Sequence, residues 1–480
     1  MIDPPIPEAP GATLTGHAHL FRDDRLAVFL ALAATGELAT IRFLHRSVVF
    51  ANTPRAARVL LVEQAKRFEK SPGIRLLLFH LAGEGLFTAE GELWRRQRRL
   101  MAPLFQPAAL SQYHAAMAAT ARRAVQSWAD GQSLDLATEM TRVTMGVVGK
   151  TLFDSDTFDE ADALGHCLTV ALAWVNTHSA DPGVLAQVEL SELVNSLGER
   201  VPEGLKPAMA KAREALREPF LVRGTRDPAL RDAIAQVERR IQQMIDERRA
   251  AGLTRNDLLT RLLAARDEET PGGATMTDKQ VRDEAVTLFV AGHETTATAL
   301  AWAFYLLGRH PEARQRVQAE ADAYDFDAHG YDPARLAYTT QVFKETLRLY
   351  PPVVVLPRHA LGEVDVVGHR VPTDTLMFVS PWIVHRDPAH WPDPERFDPD
   401  RFTPEAEAAR DRHAWIPFGA GPRVCIGNHF ALMEGALVLA EVMKRARVEV
   451  DPARTIVEDQ FATLRPKGGV PARVFLRAGT

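Results

Sequence analysis

The chain has 480 residues, of which 46% are hydrophobic and 25% are charged, a composition typical of a globular protein. Its formal net charge of −5 offers no basic surface for nucleic acid, so we expect no nucleic-acid partner. The two cysteines, Cys167 and Cys425, are too few for a disulfide framework and favour a reducing, cytoplasmic setting.

The N-terminal region predicts a short β-hairpin and no membrane segment. Residues 1–16 are rich in proline and lack the basic and apolar parts of a signal peptide. The first apolar run, residues 26–38, is shorter than the ~20 residues that cross a bilayer, so we expect no membrane anchor. Two β-rich runs, residues 39–43 and 47–51, predict the hairpin.

The next stretch predicts helices on either side of a flexible turn. Residues 60–68 have helical spacing, whereas a proline–glycine pair predicts an irregular segment over residues 71–81. The glycine-rich turn at residues 83–88 presents two large apolar side chains, and the basic run at residues 92–99 predicts a helix with one aromatic residue.

The middle of the chain is predicted to be helical. Helical spacing extends over residues 107–265, with an apolar, broken region at residues 168–207 that suits a mobile lid. Thr277 and Gln280 form a capping box, which predicts the start of a helix that ends near Gly308. A helix of about 32 residues is roughly 48 Å long, and its apolar middle predicts that it crosses the core.

Two further helices and then short strands are predicted beyond this long helix. The helices fall near residues 312–323 and 338–350, after which strand and turn signals alternate up to a helix predicted from residue 430. A polar loop is predicted before the long helix, at residues 267–273. The final strands are predicted near residues 447–450, 461–464 and 472–476.

The middle of the long helix carries residue types that are unfavourable there. Residues 291–296 are Ala-Gly-His-Glu-Thr-Thr, although glycine costs roughly 1 kcal/mol relative to alanine in a helix interior and adjacent threonines are weak helix formers. A glutamate in an apolar core is costly unless it is paired or protonated. Such local violations often mark functional sites. The alternative is a kinked core helix without chemistry.

The strongest chemical signal is the loop around Cys425. Residues 418–429 are Phe-Gly-Ala-Gly-Pro-Arg-Val-Cys-Ile-Gly-Asn-His, just before a predicted helix. The helix N-terminus and Arg423 both favour a thiolate. One sulfur cannot complete a structural zinc site, whereas a single axial thiolate suits haem iron. The alternative is a free cysteine in a glycine-rich loop.

The same loop resembles the haem-binding signature of the cytochrome P450 family, and residues 291–296 resemble that family's oxygen-activation motif. The matching loop positions are Phe418, Gly419, Gly421, Arg423, Cys425 and Gly427. The resemblance covers almost the whole chain and is strongest from residue 277 to residue 473. It implies the cytochrome P450 fold, mainly α with a smaller β-rich part, in a single domain spanning residues 1–480.

The resemblance implies haem b as the cofactor and Cys425 as the iron ligand. The other implied haem contacts are Trp94, Arg98, Ala291, Arg358, Phe418, Arg423 and Gly427. Taken singly, each arginine favours a surface charge, and only the set together with Cys425 favours haem contacts. Thr295 is implied as the hydroxyl of the oxygen-activation motif and Glu294 as its acidic partner, while His293 is expected to be an exposed or hydrogen-bonded neighbour.

A second implied cluster supports the cysteine. Glu345 and Arg348 share one helix face at i, i+3 and can pair. By itself this spacing favours a solvated surface pair, but the resemblance implies a buried cluster with Arg401 that holds the cysteine loop. One departure from the family's pattern is Arg396, where an acid is more usual.

The implied reaction inserts one atom of O2 into a lipophilic substrate by C–H hydroxylation or epoxidation. The implied pocket walls are Leu86, Phe87, Phe289, Val353, Val354, Leu356, Ala462 and Thr463. The motif details are most similar to the fatty-acid-hydroxylating, eukaryote-like branch of bacterial members. Fatty acids, terpenoids and steroids all stay open as substrates, because a fold does not fix a substrate.

Electrons for this reaction come from outside, and the resemblance implies a ferredoxin or flavodoxin with an NAD(P)H-dependent reductase. Arg95, Arg96 and Arg99 are expected to face outward toward an acidic donor. Two other classes stay open. A haem-thiolate enzyme that uses peroxide or isomerises its substrate is disfavoured by the intact Glu294–Thr295 pair. A non-catalytic haem or lipid sensor is disfavoured because no output module is visible in the sequence.

Overall fold

The computed structural model describes residues 5–13, 16–17, 20, 25–43, 46–179, 181–198, 201–252, 255, 257–267, 274–460 and 463–477. The protein is mainly helical with smaller sheets, which confirms the predicted fold class. The helices are α1 (Arg25–Thr35), α2 (Pro54–Arg58), α3 (Pro72–Ala82), α4 (Gly91–Met101), α5 (Pro107–Leu110), α6 (His114–Gln126), α7 (Leu136–Phe153), α8 (Ala161–His178), α9 (Pro182–Gly198), α10 (Lys206–Ala215), α11 (Pro228–Ala250), α12 (Leu258–Ala264), α13 (Asp278–Arg309), α14 (Pro311–Ala323), α15 (Phe326–His329), α16 (Ala337–Leu349), α17 (Pro381–Val384), α18 (Pro404–Ala409) and α19 (Asn428–Arg445). The strands are β1 (Leu38–Phe43), β2 (Arg46–Ala51), β3 (Phe68–Lys70), β4 (Ser133–Asp135), β5 (Arg266–Asp267), β6 (Ala274–Thr275), β7 (Leu356–Ala360), β8 (Val364–Val366), β9 (His369–Val371), β10 (Leu376–Val379), β11 (Ala446–Val450), β12 (Glu458–Gln460), β13 (Leu464–Pro466) and β14 (Pro471–Leu476).

The chain divides into two compact units, each assembled from separate segments. Unit 1 comprises Met1–Glu69, Ala102–Ala161 and Ala291–Thr480, and unit 2 comprises Lys70–Met101 and Asp162–Val290. The boundary falls inside the long helix α13. The expectation of one domain over residues 1–480 stays a prediction.

Unit 1 contains a five-stranded sheet in the order β1-β2-β10-β7-β3. β1 and β2 form the antiparallel hairpin that the sequence predicts, with Ile41 opposite Val48. β10 runs parallel to β2 and antiparallel to β7, where Met377 lies opposite Arg358. Because Ile41, Val48 and Met377 are buried, the hydrophobic core fixes this register, and the register in turn fixes the position of Arg358.

A second sheet in unit 1, in the order β11-β14-β4, includes a strand that the sequence does not predict. β4 falls within residues 107–265, which were predicted to be helical nearly throughout. It has only three residues, and Leu134 pairs with Ala472 from the other end of the chain. Long-range pairing therefore creates β4, and no local pattern marks it.

The helix after the cysteine loop is the packing centre of unit 1. α19 packs against α6, α14 and α16 and is almost wholly buried. A Cβ added at Gly435 would lie 2.3 Å from Cε1 of Phe343, so this glycine permits the close approach of α19 and α16. The packing ties the cysteine loop to the helix that carries Glu345 and Arg348.

Unit 2 contains the start of α13 and the helices α3, α4 and α8 to α12. The predicted capping box is confirmed, because the Thr277 N–H donates to Gln280 Oε1 at 2.9 Å and the Gln280 N–H donates to Thr277 Oγ1 at 3.2 Å. The irregular segment predicted over residues 71–81 is wrong, since α3 covers it. Pro72 occupies the first turn of α3, where proline is tolerated because that N–H has no helical partner.

Two other local expectations have mixed outcomes. The helical spacing at residues 60–68 gives a π-turn over Val59–Glu63 and a 3₁₀ turn over Ala65–Arg67, and β3 begins at Phe68. Most of the polar loop predicted at residues 267–273 lies outside the described residues. Over the described part of the chain, no helix combines the length and hydropathy needed to cross a membrane.

Candidate active site

The loop that carries Cys425 is held by its own backbone. The Cys425 N–H donates to the Phe418 carbonyl oxygen at 2.8 Å, and the Gly419 N–H donates to the Ile416 carbonyl oxygen at 3.0 Å. A short 3₁₀ turn over Gly421–Arg423 follows, and α19 begins three residues after the cysteine. The Cys425 side chain is exposed, so the loop presents its sulfur outward at the entrance of a buried helix.

Glycines in this loop permit contacts that a side chain would prevent. Gly421 has a φ of +69°, and a Cβ there would lie 1.9 Å from the Leu61 carbonyl oxygen. The loop therefore rests directly on the backbone of the π-turn at residues 59–63. At Gly427 a Cβ would lie 4.0 Å from Cys425 Sγ, which is an ordinary van der Waals contact.

The Glu345 cluster, which consists of Glu345, Arg348 and Arg401, is buried as the resemblance implies. Arg348 donates through Nε and Nη2 to the two carboxylate oxygens of Glu345 at 2.7 and 2.8 Å. Both side chains are fully buried, and Arg401 Nε lies 3.7 Å from Glu345 Oε1. A bidentate pair of this kind is strong only in fixed geometry, so the solvated surface pair is excluded.

The remaining donors of Arg348 bind backbone oxygens around the cluster. Nη1 donates to the carbonyl oxygens of His385 and Pro394 at 3.0 and 2.6 Å, and Nη2 donates to that of Arg396 at 3.1 Å. Only the main chain of Arg396 takes part in this contact. The unusual side chain at this position therefore leaves the cluster intact.

His385 connects the Glu345 cluster to the cysteine loop, and sequence reasoning missed it. Its Nδ1 lies 3.2 Å from the Arg348 carbonyl oxygen, and its Nε2 accepts the N–H of Ile416 at 2.8 Å. Burial, reinforced by the charge of Arg348, holds the pKa of His385 well below its usual value. The ring is therefore neutral, with its proton on Nδ1. No local pattern distinguishes this histidine in the sequence.

Glu294, the predicted acidic residue, lies half-buried on α13. Thr463 Oγ1 donates to Glu294 Oε1 at 2.9 Å. Burial raises the pKa of Glu294, while the charge of Arg465 and the hydrogen bond from Thr463 oppose the rise. Thr463 was predicted only as a pocket wall, so its hydrogen bond to the acid is a contact that sequence reasoning did not reveal.

Thr295, the predicted hydroxyl, bonds to its own helix. Thr295 Oγ1 donates to the Ala291 carbonyl oxygen at 2.8 Å, which leaves the lone pairs of the hydroxyl as acceptors on a half-buried side chain. Gly292 serves the packing of the helix, because a Cβ there would lie 3.0 Å from Cγ2 of Val148. That glycine allows α13 and α7 to approach closely.

His293 is buried beside these residues. Its carbonyl oxygen accepts a hydrogen bond from Thr144 Oγ1 at 2.9 Å, which draws a helix carbonyl toward a neighbouring helix. His293 is thus an enclosed part of the packing of α13 within unit 1.

Arg358 and Leu356 lie on the same face of β7, because alternate residues of a strand point the same way. A Cβ at Gly419 would lie 3.6 Å from Leu356 Cδ1, so this face borders the cysteine loop. Arg358 is buried and donates to the Pro357 carbonyl oxygen at 2.9 Å. Arg423 is half-buried in the loop itself. The part of Arg358 and Arg423 in cofactor binding stays a prediction.

The other predicted site residues of unit 1 form two groups. Val353 and Val354 are half-buried just before β7. Thr463 is buried at the start of β13 beside Glu294. Ala462 lies outside the described residues.

The remaining predicted site residues belong to unit 2. Trp94 and Arg98 are half-buried on α4, one turn apart, as their i, i+4 spacing predicts. Phe87 is 45% exposed in the turn before α4, and Leu86 is half-buried. Phe289 is enclosed by protein on α13. Their roles as haem contacts or pocket walls stay predictions.

Comparison with known proteins matches nearly the whole chain to one family. The family model described as cytochrome P450 matches residues 4–470. The chain belongs to the cytochrome P450 family. Cyclooctatin synthase of Streptomyces melanosporofaciens is 34% identical to this P450 over 93% of this chain and 90% of its own length. Pentalenene oxygenase of Streptomyces avermitilis is 32% identical over 95% and 94%.

A more distant relative of this P450 is the protein LUTEIN DEFICIENT 5 of Arabidopsis thaliana, a chloroplast protein. It is 28% identical over 94% of this chain and 73% of its own length. The relatives that are named as monooxygenase or oxygenase support the assignment of this P450 as a haem-thiolate monooxygenase. The activity requires a separate source of electrons and a lipophilic substrate.

The residues present in this P450 fit a haem-thiolate cofactor. The loop offers one exposed sulfur next to a helix N-terminus. Cys425 would be the iron ligand. When bound, haem supplies the iron at which O2 is activated. The chain's own part would be to hold the Cys425 sulfur in place, through the cysteine loop, His385 and the Glu345 cluster.

Proposed function

We propose that this P450 hydroxylates or epoxidises a cyclic terpenoid hydrocarbon, using haem b and electrons from a ferredoxin or flavodoxin with an NAD(P)H-dependent reductase. The observation that carries the proposal is the exposed Cys425 sulfur at the entrance of α19, in a loop braced by backbone bonds and by the Glu345 cluster. This arrangement suits one axial thiolate and no other ligand set.

Two features favour a cyclic terpenoid hydrocarbon as the substrate. Relatives are named for cyclooctatin, cyclooctat-9-en-7-ol and pentalenene, and such relatives oxygenate terpenoids. Thr463 is the only polar member of the predicted pocket wall, and its hydroxyl is committed to Glu294. The predicted wall residues include no cation, and a fatty acid would need one as the partner of its carboxylate, which favours a hydrocarbon.

Glu294 and Thr295 are proposed to deliver protons during oxygen activation. Because burial raises the pKa of Glu294, its carboxyl retains a proton closer to neutral pH than a free glutamate does. Thr295 Oγ donates to Ala291 and can therefore accept a hydrogen bond. The acid thus acts as the proton reservoir, and the hydroxyl positions the proton's acceptor.

The electron donor is proposed to be acidic and small. Arg95 and Arg99 are exposed on α4, whereas Arg96 is half-buried and donates to the Thr275 carbonyl oxygen at 2.9 Å. Arg95 and Arg99 therefore suit an acidic protein surface better than Arg96 does.

Spectral titration and turnover test this function. We expect a cyclic sesquiterpene hydrocarbon to shift the Soret band of the purified haem protein and lauric acid to shift it only weakly. Turnover should require the ferredoxin–reductase system, and peroxide alone should not replace it. Tight lauric acid binding would contradict the substrate class, and efficient turnover with peroxide alone would contradict the electron route.

The proton-delivery assignment has its own test. Thr295→Ala should lower product formed per NADPH consumed by about a hundredfold, the usual contribution of positioned proton transfer, while Thr295→Ser retains most of it. An alanine variant with wild-type coupling would show that the hydroxyl is not used.

A further inference from the structure

Residues 83–88, named here the 83–88 loop, are held against α13 within unit 2 by two consecutive acids. The Glu84 N–H donates to Asp283 Oδ2 and the Leu86 N–H donates to Glu284 Oε2, both at 2.9 Å. Two successive carboxylates of one helix therefore fix alternate backbone positions of the same loop.

Three further side chains bind the carbonyl groups of the loop. Lys70 Nζ donates to the carbonyl oxygens of Leu86 and Ala89 at 2.9 and 2.7 Å. Arg75 Nε donates to that of Thr88 at 2.8 Å. Gln97 Nε2 donates to that of Glu84 at 2.9 Å. Elements on both sides of the loop thus contribute to its conformation.

The contact with α13 has no spare room. A Cβ added at Gly83 would lie 2.4 Å from Asp283 Oδ2, and one at Gly85 would lie 2.1 Å from Thr287 Oγ1. At Gly85 a Cβ would also lie 2.7 Å from the Asp283 carbonyl oxygen, so the loop would have to move, whereas at Gly83 the Asp283 side chain would have to move. The two glycines therefore let the loop backbone rest directly on the helix.

The two acids differ in how their charge is balanced. Asp283 is paired with Lys279 at 2.7 Å and with Arg282 at 2.9 Å. Glu284 is fully buried, and among the described residues its Oε1 has no hydrogen-bond partner. Burial raises the pKa of Glu284 to about 8, although the N–H of Leu86 and the charge of Lys70 oppose the rise.

A buried carboxyl with only one hydrogen-bonded oxygen destabilises the folded state. An apolar side chain at this position would destabilise it less. The hydrogen bond to Leu86 is the contact that an apolar side chain could not replace. Leu86 and the 45% exposed Phe87 are the side chains whose position that bond sets.

On the basis of the proposed function, we infer that Glu284 is a positioning residue for the predicted substrate contacts Leu86 and Phe87. It fixes both side chains through the backbone of the 83–88 loop and so decides which bulky ligands the protein accepts. It does not touch the reacting atoms itself.

Two azoles of different size test this inference. Imidazole and 4-phenylimidazole are titrated into the haem-loaded full-length protein, and binding is followed by the Soret shift. We expect Glu284→Leu to weaken 4-phenylimidazole about fivefold relative to imidazole, because one hydrogen bond is lost and a looser loop must be ordered on binding. Glu284→Gln keeps an acceptor for the Leu86 N–H and should retain the wild-type ratio.

Two controls separate positioning from folding. Glu92→Gln removes one negative charge at a side chain that is 88% exposed and should leave the ratio unchanged. Gly85→Ala displaces the loop from α13 and should reproduce the effect of Glu284→Leu. The thermal midpoint of Glu284→Leu should not fall, since the variant replaces a half-satisfied buried acid with an apolar side chain.

The outcomes are distinct. If Glu284→Leu and Gly85→Ala both keep the wild-type ratio of the two affinities, the inference is wrong. If Glu284→Gln changes the ratio of the 4-phenylimidazole and imidazole affinities as much as Glu284→Leu does, the hydrogen bond is not the cause and the inference is again wrong. If the wild-type protein binds neither azole at an iron centre, the proposed function fails, and this inference with it.

Discussion

Glu345 in unit 1 and Glu284 in unit 2 are both fully buried glutamates, but the protein balances them in opposite ways. Glu345 receives two charged hydrogen bonds from Arg348 and lies 3.7 Å from Arg401. Glu284 receives one backbone N–H from Leu86 and has no bidentate cation among the described residues. Burial raises the pKa of both carboxyls, but at Glu345 the hydrogen bonds and charge of Arg348 and the charge of Arg401 oppose the rise, whereas the pKa of Glu284 reaches about 8.

The difference indicates that the Glu345 cluster and the Glu284 contact serve different functions. The Glu345 cluster is joined through His385 to the cysteine loop, where fixed geometry is needed at every pH. The Glu284 contact holds a loop whose side chains are proposed to meet variable substrates. A single hydrogen bond from the Leu86 N–H to Glu284 suffices there, since its proposed function is to set the positions of the Leu86 and Phe87 side chains.

The largest effect is expected when the charged pair is broken on one side. Arg348→Ala would leave the buried Glu345 with Arg401, 3.7 Å away, as its charged partner, and would remove bonds to three backbone carbonyls. We expect a loss of about 3–5 kcal/mol in the free energy of unfolding and failure to retain haem. Guanidinium unfolding and haem content measure both. Arg396→Ala, whose side chain is 68% exposed, serves as the control and should lose neither.

The titrating carboxyl gives the next largest effect. Glu284 has an ordinary pKa of 4.5 when unfolded and about 8 when folded, so the folded protein binds the extra proton between these values. Wild-type stability should therefore fall as pH rises from about 4.5 to about 8, by an amount on the order of a few kcal/mol.

Glu284→Gln removes this dependence, so the variant should match the wild type near pH 4.5 and exceed its stability at pH 8. Asp283 and Lys70 are the neighbouring charges that modify the pKa, and both are unchanged in the variant. Urea unfolding at several pH values measures the difference, with Glu92→Gln as control. A difference that does not vary with pH would show that Glu284 is charged throughout.

The two loops can also be compared through their glycines. Gly421→Ala forces a side chain into a φ of +69° and within 1.9 Å of the Leu61 carbonyl oxygen. We expect a destabilisation of about 1–3 kcal/mol and faster loss of haem, measured by haem transfer to an acceptor protein. Gly362→Ala, where a Cβ would meet nothing within 4 Å, should behave as wild type.

The smallest effect is expected at Glu294, the half-buried acid of α13. Thr463→Val removes the hydrogen bond that lowers the pKa of Glu294. The pH profile of coupled oxygenation should shift to higher pH, with a stability change of about 1 kcal/mol. Thr463→Ser should restore the wild-type profile. An unshifted profile in the valine variant would separate Glu294 from the titrating step.

The sequence predicts most accurately where a few neighbouring residues contain the whole interaction. Thr277 and Gln280 make both bonds of their capping box, and Glu345 and Arg348 pair across one helix turn. In each case the partners are three residues apart, so the spacing predicts the pairing, although it does not predict that Glu345 and Arg348 are buried.

Prediction fails where the partner is distant in the chain. β4 exists because Leu134 pairs with Ala472, and Glu284 meets Leu86 from 198 residues away. His385 gains its role from Arg348 and Ile416, neither of which is a local neighbour. The error at α3 has a different cause, because proline predicts a break only inside a helix and Pro72 stands in the first turn of α3.

The ligation of haem iron by the Cys425 thiolate is tested most directly by one spectrum. The purified, reduced protein is mixed with carbon monoxide, beside the Cys425→Ser variant. The wild type should give the long-wavelength Soret band that is characteristic of thiolate-ligated haem, and the variant should not. A variant that keeps this band, or a wild type that remains colourless when haem is supplied, would contradict the assignment.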